Sequence, residues 1–133
     1  MAIKRGPSIV RDGLVLALDA ASARSWTNGG STWYDLSGNG NNATASGSPS
    51  TANSGTGAQS IAFDGTNDFF TVTANETSLS FTQGQTIGMW VYHPGVTGRR
   101  NLWDQAYGGY GTWTQEQGGS INYYYGSNGG NAQ

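Results

Sequence analysis

Twenty-two glycines among 133 residues, set between short stretches of alternating apolar and polar side chains, restrict this chain to turns and pleated strands. Helices have little to be built from. Only two glutamates and one lysine are present, and residues of this kind normally furnish solvent-facing helix surfaces. Charged residues make up 11% of the chain, against the usual quarter. Five Trp, seven Tyr and four Phe supply side chains that suit a half-buried sheet. The length fits one domain with a real core, so a single all-β domain is expected.

Alternation places the strands. Leu14-Val-Leu-Ala-Leu18 reads as a buried strand with Leu14, Leu16 and Leu18 on one face. A Gly-, Ser- and Asn-rich loop follows, interrupted by Trp33-Tyr34-Asp35-Leu36, and Ser37 to Asn42 is turn material. Ala43 to Thr56 reads as loop with at most one weak strand. Ser60 to Phe63 and Asp68 to Val72 read as the arms of a hairpin around Asp64-Gly-Thr-Asn67, with Ile61 and Phe63 inward and Phe70 and Val72 opposite. Ser78 to Phe81 offers another short strand. Gln85 to Tyr92 has the strongest strand pattern, with Ile87, Met89 and Val91 on one face and Thr86, Trp90 and Tyr92 on the other, before Pro94 ends it. Arg100 to Trp103 begins a further strand. Trp113–Gln117 and Ile121–Tyr125 read as a second hairpin through Gly118-Gly119, with Ile121, Tyr123 and Tyr125 toward the core and Tyr124 outward. No internal repeat is visible. Residues 1–12 are expected to form an N-terminal arm and residues 13–133 the folded domain.

Charge and composition exclude several functions. A net charge of -2 argues against nucleic acid as the main partner, because neutralising phosphates needs clustered Lys and Arg. Lys4, Arg5, Arg11 and Arg24 lie near the N-terminus, where a solvated arm accounts for them. With no cysteine, neither disulfides nor thiolate metal sites are available. No stretch approaches a membrane span, so membrane insertion is not expected. The opening MAIKRGPSIVRDG lacks a continuous apolar segment, so no secretory leader is expected there. An internal piece of a longer polyprotein would fit that start, as would a component of a particle assembled in the cytoplasm and released by lysis, and Met1 favours the second.

Four segments taken together resemble the laminin-G-like branch of the concanavalin A-like family: IVRDGLVLALDA (9–20), WYDLSGNGNNAT (33–44), IAFDGTNDFFTV (61–72) and TIGMWVYHPG (86–95). The resemblance spans about residues 9 to 125. It implies an antiparallel β-sandwich, a concanavalin A-like jelly roll incomplete at its C-terminal end. The strand with a Trp-Tyr-His-like motif and the Asn-Gly hairpin that follow in the family have no counterpart here. The resemblance implies that those strands belong to a longer product or come from another chain. Modules with this opening are common in structural proteins of tailed phages. The resemblance therefore implies a virion component of a tail, fibre, baseplate or capsid surface, with other virion proteins, copies of itself and host glycans as partners. The alternative is a secreted carbohydrate-binding lectin-like domain.

The chemistry expected of this chain is binding rather than catalysis. Glycosidases on the same fold carry a Glu-x-Asp-x-x-Glu strand, because retaining hydrolysis needs two carboxylates about 5 Å apart. The only glutamates here, Glu76 and Glu116, are far apart in sequence and each lacks an acidic neighbour. His93, the only histidine, has no Gly-x-Ser-x-Gly elbow to serve. Sugar rings stack their C–H faces on aromatic side chains while Asn, Gln and Asp take the hydroxyls. That mixture occurs in the last third, where Trp103, Tyr107, Tyr110, Trp113 and Tyr124 are the candidate carbohydrate-binding residues, amid Asp104, Gln115 and Asn122. Packing within the sandwich or a protein interface would use the same aromatics. No organic cofactor is expected. Asp64 and Asp68, with Asn67 between them, are the candidate Ca²⁺ ligands, and Asp35 with Asn39 could form a second oxygen cluster. Both groups are equally suited to capping their own turns.

Overall fold

The computed structural model describes residues 10–53, 59–72, 79, 84–92, 98–105 and 111–126. The chain divides into two compact units, Met1–Leu79 and Ser80–Gln133. All strand pairs are antiparallel, and among the described residues there is essentially no helix.

In the first unit β1 (Thr32–Trp33), β2 (Ala43–Ser46) and β5 (Phe69–Val72) form one sheet in the order β1-β2-β5, while β3 (Ser50–Asn53) pairs with β4 (Gln59–Ala62). The two ladders are one long hairpin with a corner in it. Ala43 lies opposite Val72 and Ser46 opposite Phe69, and beyond the corner Ser50 lies opposite Ala62 and Asn53 opposite Gln59. Both arms turn at the same place, through residues 47–49 on one side and 63–68 on the other. Asp68 ties the two sides together, its Oδ1 accepting from the backbone N–H of Ser48 at 2.7 Å and its Oδ2 from that of Asp64 at 3.0 Å. Asp64 Oδ1 in turn accepts from the N–H groups of Thr66, Asn67 and Asp68. Gly47, at φ 75°, lies against the Asp68 carboxylate and the Asn67 carbonyl, where a side chain would have no room.

This corner corrects two expectations. Ser60–Phe63 and Asp68–Val72 are not arms of one short hairpin, because Asp64–Asp68 closes on itself and sends the chain from one ladder to the next. Ala43–Thr56, expected as loop, contains β2 and β3. Small polar residues have weak strand preference of their own, and here pairing with the arms from 59 to 72 decides the matter.

Leu14–Leu18 joins no ladder. Its backbone partners come from the turn-rich segment after β1 instead. Ala17 N–H donates to Asp35 Oδ1 at 2.9 Å, Ala17 C=O accepts from Leu36 N–H at 2.8 Å, and Val15 C=O accepts from Asn41 Nδ2 at 2.7 Å. Asn39 Nδ2 donates to Leu14 C=O at 2.9 Å. Backbone groups leaving water need partners of some kind, and a side-chain carboxylate or amide serves as well as a strand. All five residues from Leu14 to Leu18 are half-buried, without the expected alternation.

The centre of this unit is Trp26, 2% exposed. Its ring meets Trp33 of β1 edge-on at 6.5 Å and Phe70 of β5 at 5.4 Å, and its Nε1 donates to Thr51 Oγ1 of β3 at 3.0 Å. Phe63 reaches Phe70 at 6.0 Å across the corner, but it is 51% exposed, so its expected inward place is corrected: the corner carries it out of the ladder. Ser25 is fully buried, its Oγ donating to Tyr34 C=O at 2.6 Å and accepting from Asp19 N–H.

The second unit contains β6 (Arg99–Gln105), β7 (Gly111–Gln117) and β8 (Ser120–Gly126) in the order β6-β7-β8. The hairpin expected through Gly118-Gly119 is present, both glycines having positive φ, 61° and 82°. Gln85–Tyr92 is not a strand here. It joins no ladder, and Met89, Trp90, Val91 and Tyr92 are exposed, Trp90 completely at 103%. The expected core face of Ile87, Met89 and Val91 is therefore not formed; only Ile87 is half-buried. A pattern apolar on both faces needs neighbours on both, and no described strand runs beside it. Of Ser78–Phe81 only Leu79 lies within the described residues, buried and helical rather than extended.

Two substitutions test this account. Gly47→Ala should lower stability by about 2 kcal/mol in denaturant unfolding, because positive φ and the neighbouring carboxylate both oppose a Cβ. Burial pushes the Asp35 carboxyl upward, but hydrogen bonds from the Ser37 hydroxyl and the backbone N–H groups of Ser37, Ala17 and Asn41 outweigh it, holding the group below its ordinary 3.8. A depressed folded pKa contributes stability above the unfolded value and loses it as pH falls through the folded one. Wild type should thus lose stability below about pH 4, and Asp35→Ala should both cost about 2–3 kcal/mol at neutral pH and flatten that acid limb. An unchanged limb in pH-dependent melts would count against this role.

Candidate binding face

β6 is irregular. Its register to β7 shifts between Asn101, opposite Gln115, and Trp103, opposite Thr114, leaving Leu102 as the extra residue of a bulge. In a regular strand residues three apart lie on opposite faces. Here Asn101 and Asp104 share one, and Asn101 Nδ2 donates to Asp104 Oδ2 at 3.1 Å.

The ladders extend this face across the sheet. Asp104 lies opposite Trp113, and Trp113 opposite Tyr124. Beside that row, Asn101 lies opposite Gln115, and Gln115 opposite Asn122. Two adjacent rows of register positions thus carry one carboxylate, two aromatics, two Asn and one Gln. Asn101 and Asp104 are exposed and Asn122 is half-buried.

The other face carries the row Trp103, Thr114 and Tyr123, and the row Arg100, Glu116 and Ile121. Glu116 is 6% exposed, its Oε1 accepting from Gly119 N–H at 2.8 Å where the hairpin turns. Arg100 stands opposite it, an oppositely charged cross-strand pair. Tyr123 Oη accepts from Gln85 Nε2 at 2.6 Å.

The sequence-derived carbohydrate set is therefore divided. Trp113 and Tyr124 occupy directly opposed positions on one face, Trp103 belongs to the other, and Tyr107 and Tyr110 lie outside the described residues, as does His93. The expectation that the Ile121 face is core is corrected: Ile121 is 73% exposed and Tyr123 is also exposed. Alternation identifies which residues share a face but not which face is covered. Asn101 was not among the sequence candidates; its only signal would have been the bulge, and RRNLWDQ contains no glycine or proline to mark one.

Asp64 and Asp68, the candidate Ca²⁺ ligands, each spend oxygens on the corner. Hydrogen bonds from the Thr66 and Asn67 backbones lead the causes that hold the Asp64 carboxyl below its ordinary value. Asp35 is likewise engaged, with Oδ1 accepting from Ala17 and Ser37 and Oδ2 from Ser37 Oγ and Asn41. Among the described residues no group of three or more His, Cys, Asp or Glu side chains is placed to hold a metal ion. No described helix is long and apolar enough to cross a membrane.

No family model, no curated protein and no solved structure matches the chain. Its class stands as an all-β protein of small antiparallel sheets.

The β7–β8 turn sets the alignment of Trp113 with Tyr124, so it offers a direct test. Gly118→Asn keeps the two-residue turn in its preferred Asn-Gly form and should raise stability by about 0.5 kcal/mol, whereas Gly118→Val should lower it by 1–2 kcal/mol, roughly, in thermal melts.

Proposed function

We propose that this chain is a non-catalytic recognition module with a concanavalin A-like jelly-roll architecture, serving as a structural component of a tailed-phage virion on a tail, fibre, baseplate or capsid surface. It binds neighbouring subunits and host glycans. The resemblance of the four segments between residues 9 and 95 supports the setting. The observation that carries the binding role is the doubled row on the C-terminal sheet, Asp104–Trp113–Tyr124 beside Asn101–Gln115–Asn122.

That arrangement suits a sugar by elementary chemistry. Aromatic side chains take the C–H face of a pyranose while amides and carboxylates take its hydroxyls, and the two rows bring both residue types to adjacent register positions. A sheet presents them on a rigid frame, so little ordering entropy opposes binding. Weak single sites gain avidity from multiple copies, as on a particle surface.

Glycan-array and calorimetric binding tests the face. Trp113→Ala should abolish measurable glycan binding and Asn101→Ala should weaken it about tenfold, the loss of roughly one hydrogen bond, while Arg100→Ala on the opposite face should leave it unchanged. Equal effects from both faces would overturn the assignment. Fixed-stoichiometry co-purification with intact particles tests the virion setting, and its failure alongside retained glycan binding would favour the secreted lectin.

A further inference from the structure

We infer that β8 is a self-pairing edge through which two copies of this chain join their C-terminal sheets about a twofold axis.

Among the described strands the order β6-β7-β8 leaves β6 and β8 at the edges, and the two differ. Along RRNLWDQ, β6 carries Arg99, Arg100 and Asp104 and is broken by the bulge at Leu102. Charge and bulging are the two devices that keep an edge from recruiting another strand. β8 has neither. Its seven residues, SINYYYG, contain no charge and no proline, and they pair with β7 without a register shift. It is also longer than the usual strand of about five to six residues. Ile121 and Tyr123 are exposed along it.

Self-complementarity limits what can cover such an edge. A twofold contact sets the same patch against itself, so a charged strand repels its own copy. Nothing from Gln117 to Gln133 is charged. Antiparallel pairing centred on Tyr123 sets Tyr123 against its counterpart, Ile121 against Tyr125, Asn122 against Tyr124 and Ser120 against Gly126. Aromatic and aromatic–β-branched pairs of this kind are favourable by about 0.2–1 kcal/mol each. Residues 127–133, SNGGNAQ, lack the apolar alternation of a covering strand. Further apolar area is at hand in the same unit. The Gln85–Tyr123 hydrogen bond tethers to β8 the segment that leads into exposed Met89, Trp90, Val91 and Tyr92. Burying Trp90, Tyr92, Ile121 and Tyr123 in both copies removes on the order of 1,000 Å², the lower bound for a specific interface.

Directly opposed strand residues share a face, so this pairing would place the Trp113–Tyr124 rows of both copies on the same side of one six-stranded sheet. The inference extends the proposed recognition role but does not depend on any ligand, since mass and glycan binding are read separately.

The full chain at micromolar concentration should sediment at twice its 13.9 kDa mass. Tyr123→Lys and Tyr123→Glu should each sediment at the single-chain mass and recover the doubled mass when mixed, which only a Tyr123–Tyr123 register predicts. The chain has no cysteine of its own, so Tyr123→Cys should form an intermolecular disulfide under mild oxidation, at a Cα separation of about 4.5–5.5 Å suited to one. Arg100→Cys on the protected edge should not. A wild-type chain that stays at the single mass overturns the inference. So does a dimer that survives both charge substitutions, or equal crosslinking from positions 123 and 100.

Discussion

Trp26 holds the first unit together because it touches strands of both ladders. Three large apolar side chains would ordinarily sit inside one sheet layer. Here Trp33 and Phe70 come from the β1-β2-β5 sheet, while the Trp26 indole N–H reaches Thr51 on β3. Edge-to-face aromatic pairs contribute about 0.5–1.5 kcal/mol each beyond their area, and the indole hydrogen bond removes the penalty of burying that donor. The described buried apolar residues are few, Trp26, Ala43 and Leu79, so a large share of the unit's cohesion passes through one side chain. A corner in the long hairpin is what allows its two halves to meet the same indole.

Polar side chains perform much of the work that strands perform elsewhere. Asp35 gathers Ala17, Ser37 and Asn41 about one carboxylate, and Asn41 returns to Val15. Asp68 joins the two sides of the corner in the same manner. An ionised carboxylate accepting several N–H groups forms hydrogen bonds stronger than neutral ones, which suits a chain poor in apolar residues. The same chemistry explains why these aspartates read from sequence as candidate metal ligands: hard oxygens clustered in a turn suit a cation and a set of backbone donors alike.

In the second unit the bulge at Leu102 has consequences for function. It re-aims the end of β6 so that Asp104 joins Asn101 on the face that carries the Trp113 and Tyr124 positions, and leaves Trp103 behind with Glu116. One inserted residue therefore separates a polar–aromatic face from one built around a buried glutamate. The bulge and the charges on the same strand also make β6 a poor partner for another chain, in contrast to β8.

How much of this was legible in the residues depends on the range of the interaction. Local chemistry was readable. Gly and Asn marked the turns, Gly118-Gly119 marked the β7–β8 hairpin, and the scarcity of helix formers marked an all-β chain, because each of these depends on the backbone preferences of neighbouring residues. Alternation along each strand also assigned Asn122 and Tyr124 to one face of β8 and Ile121 and Tyr123 to the other. Pairing was not readable. Whether Ser60–Phe63 meets Asp68–Val72 or Ser50–Asn53, and whether Leu14–Leu18 takes its hydrogen bonds from a strand or from Asp35 and Asn41, are settled by partners well outside each segment. Alternation has only two phases, so it assigns side chains to faces but never says what lies against them; that choice belongs to the tertiary structure, where Trp26, Asp68 and the β6 bulge make it.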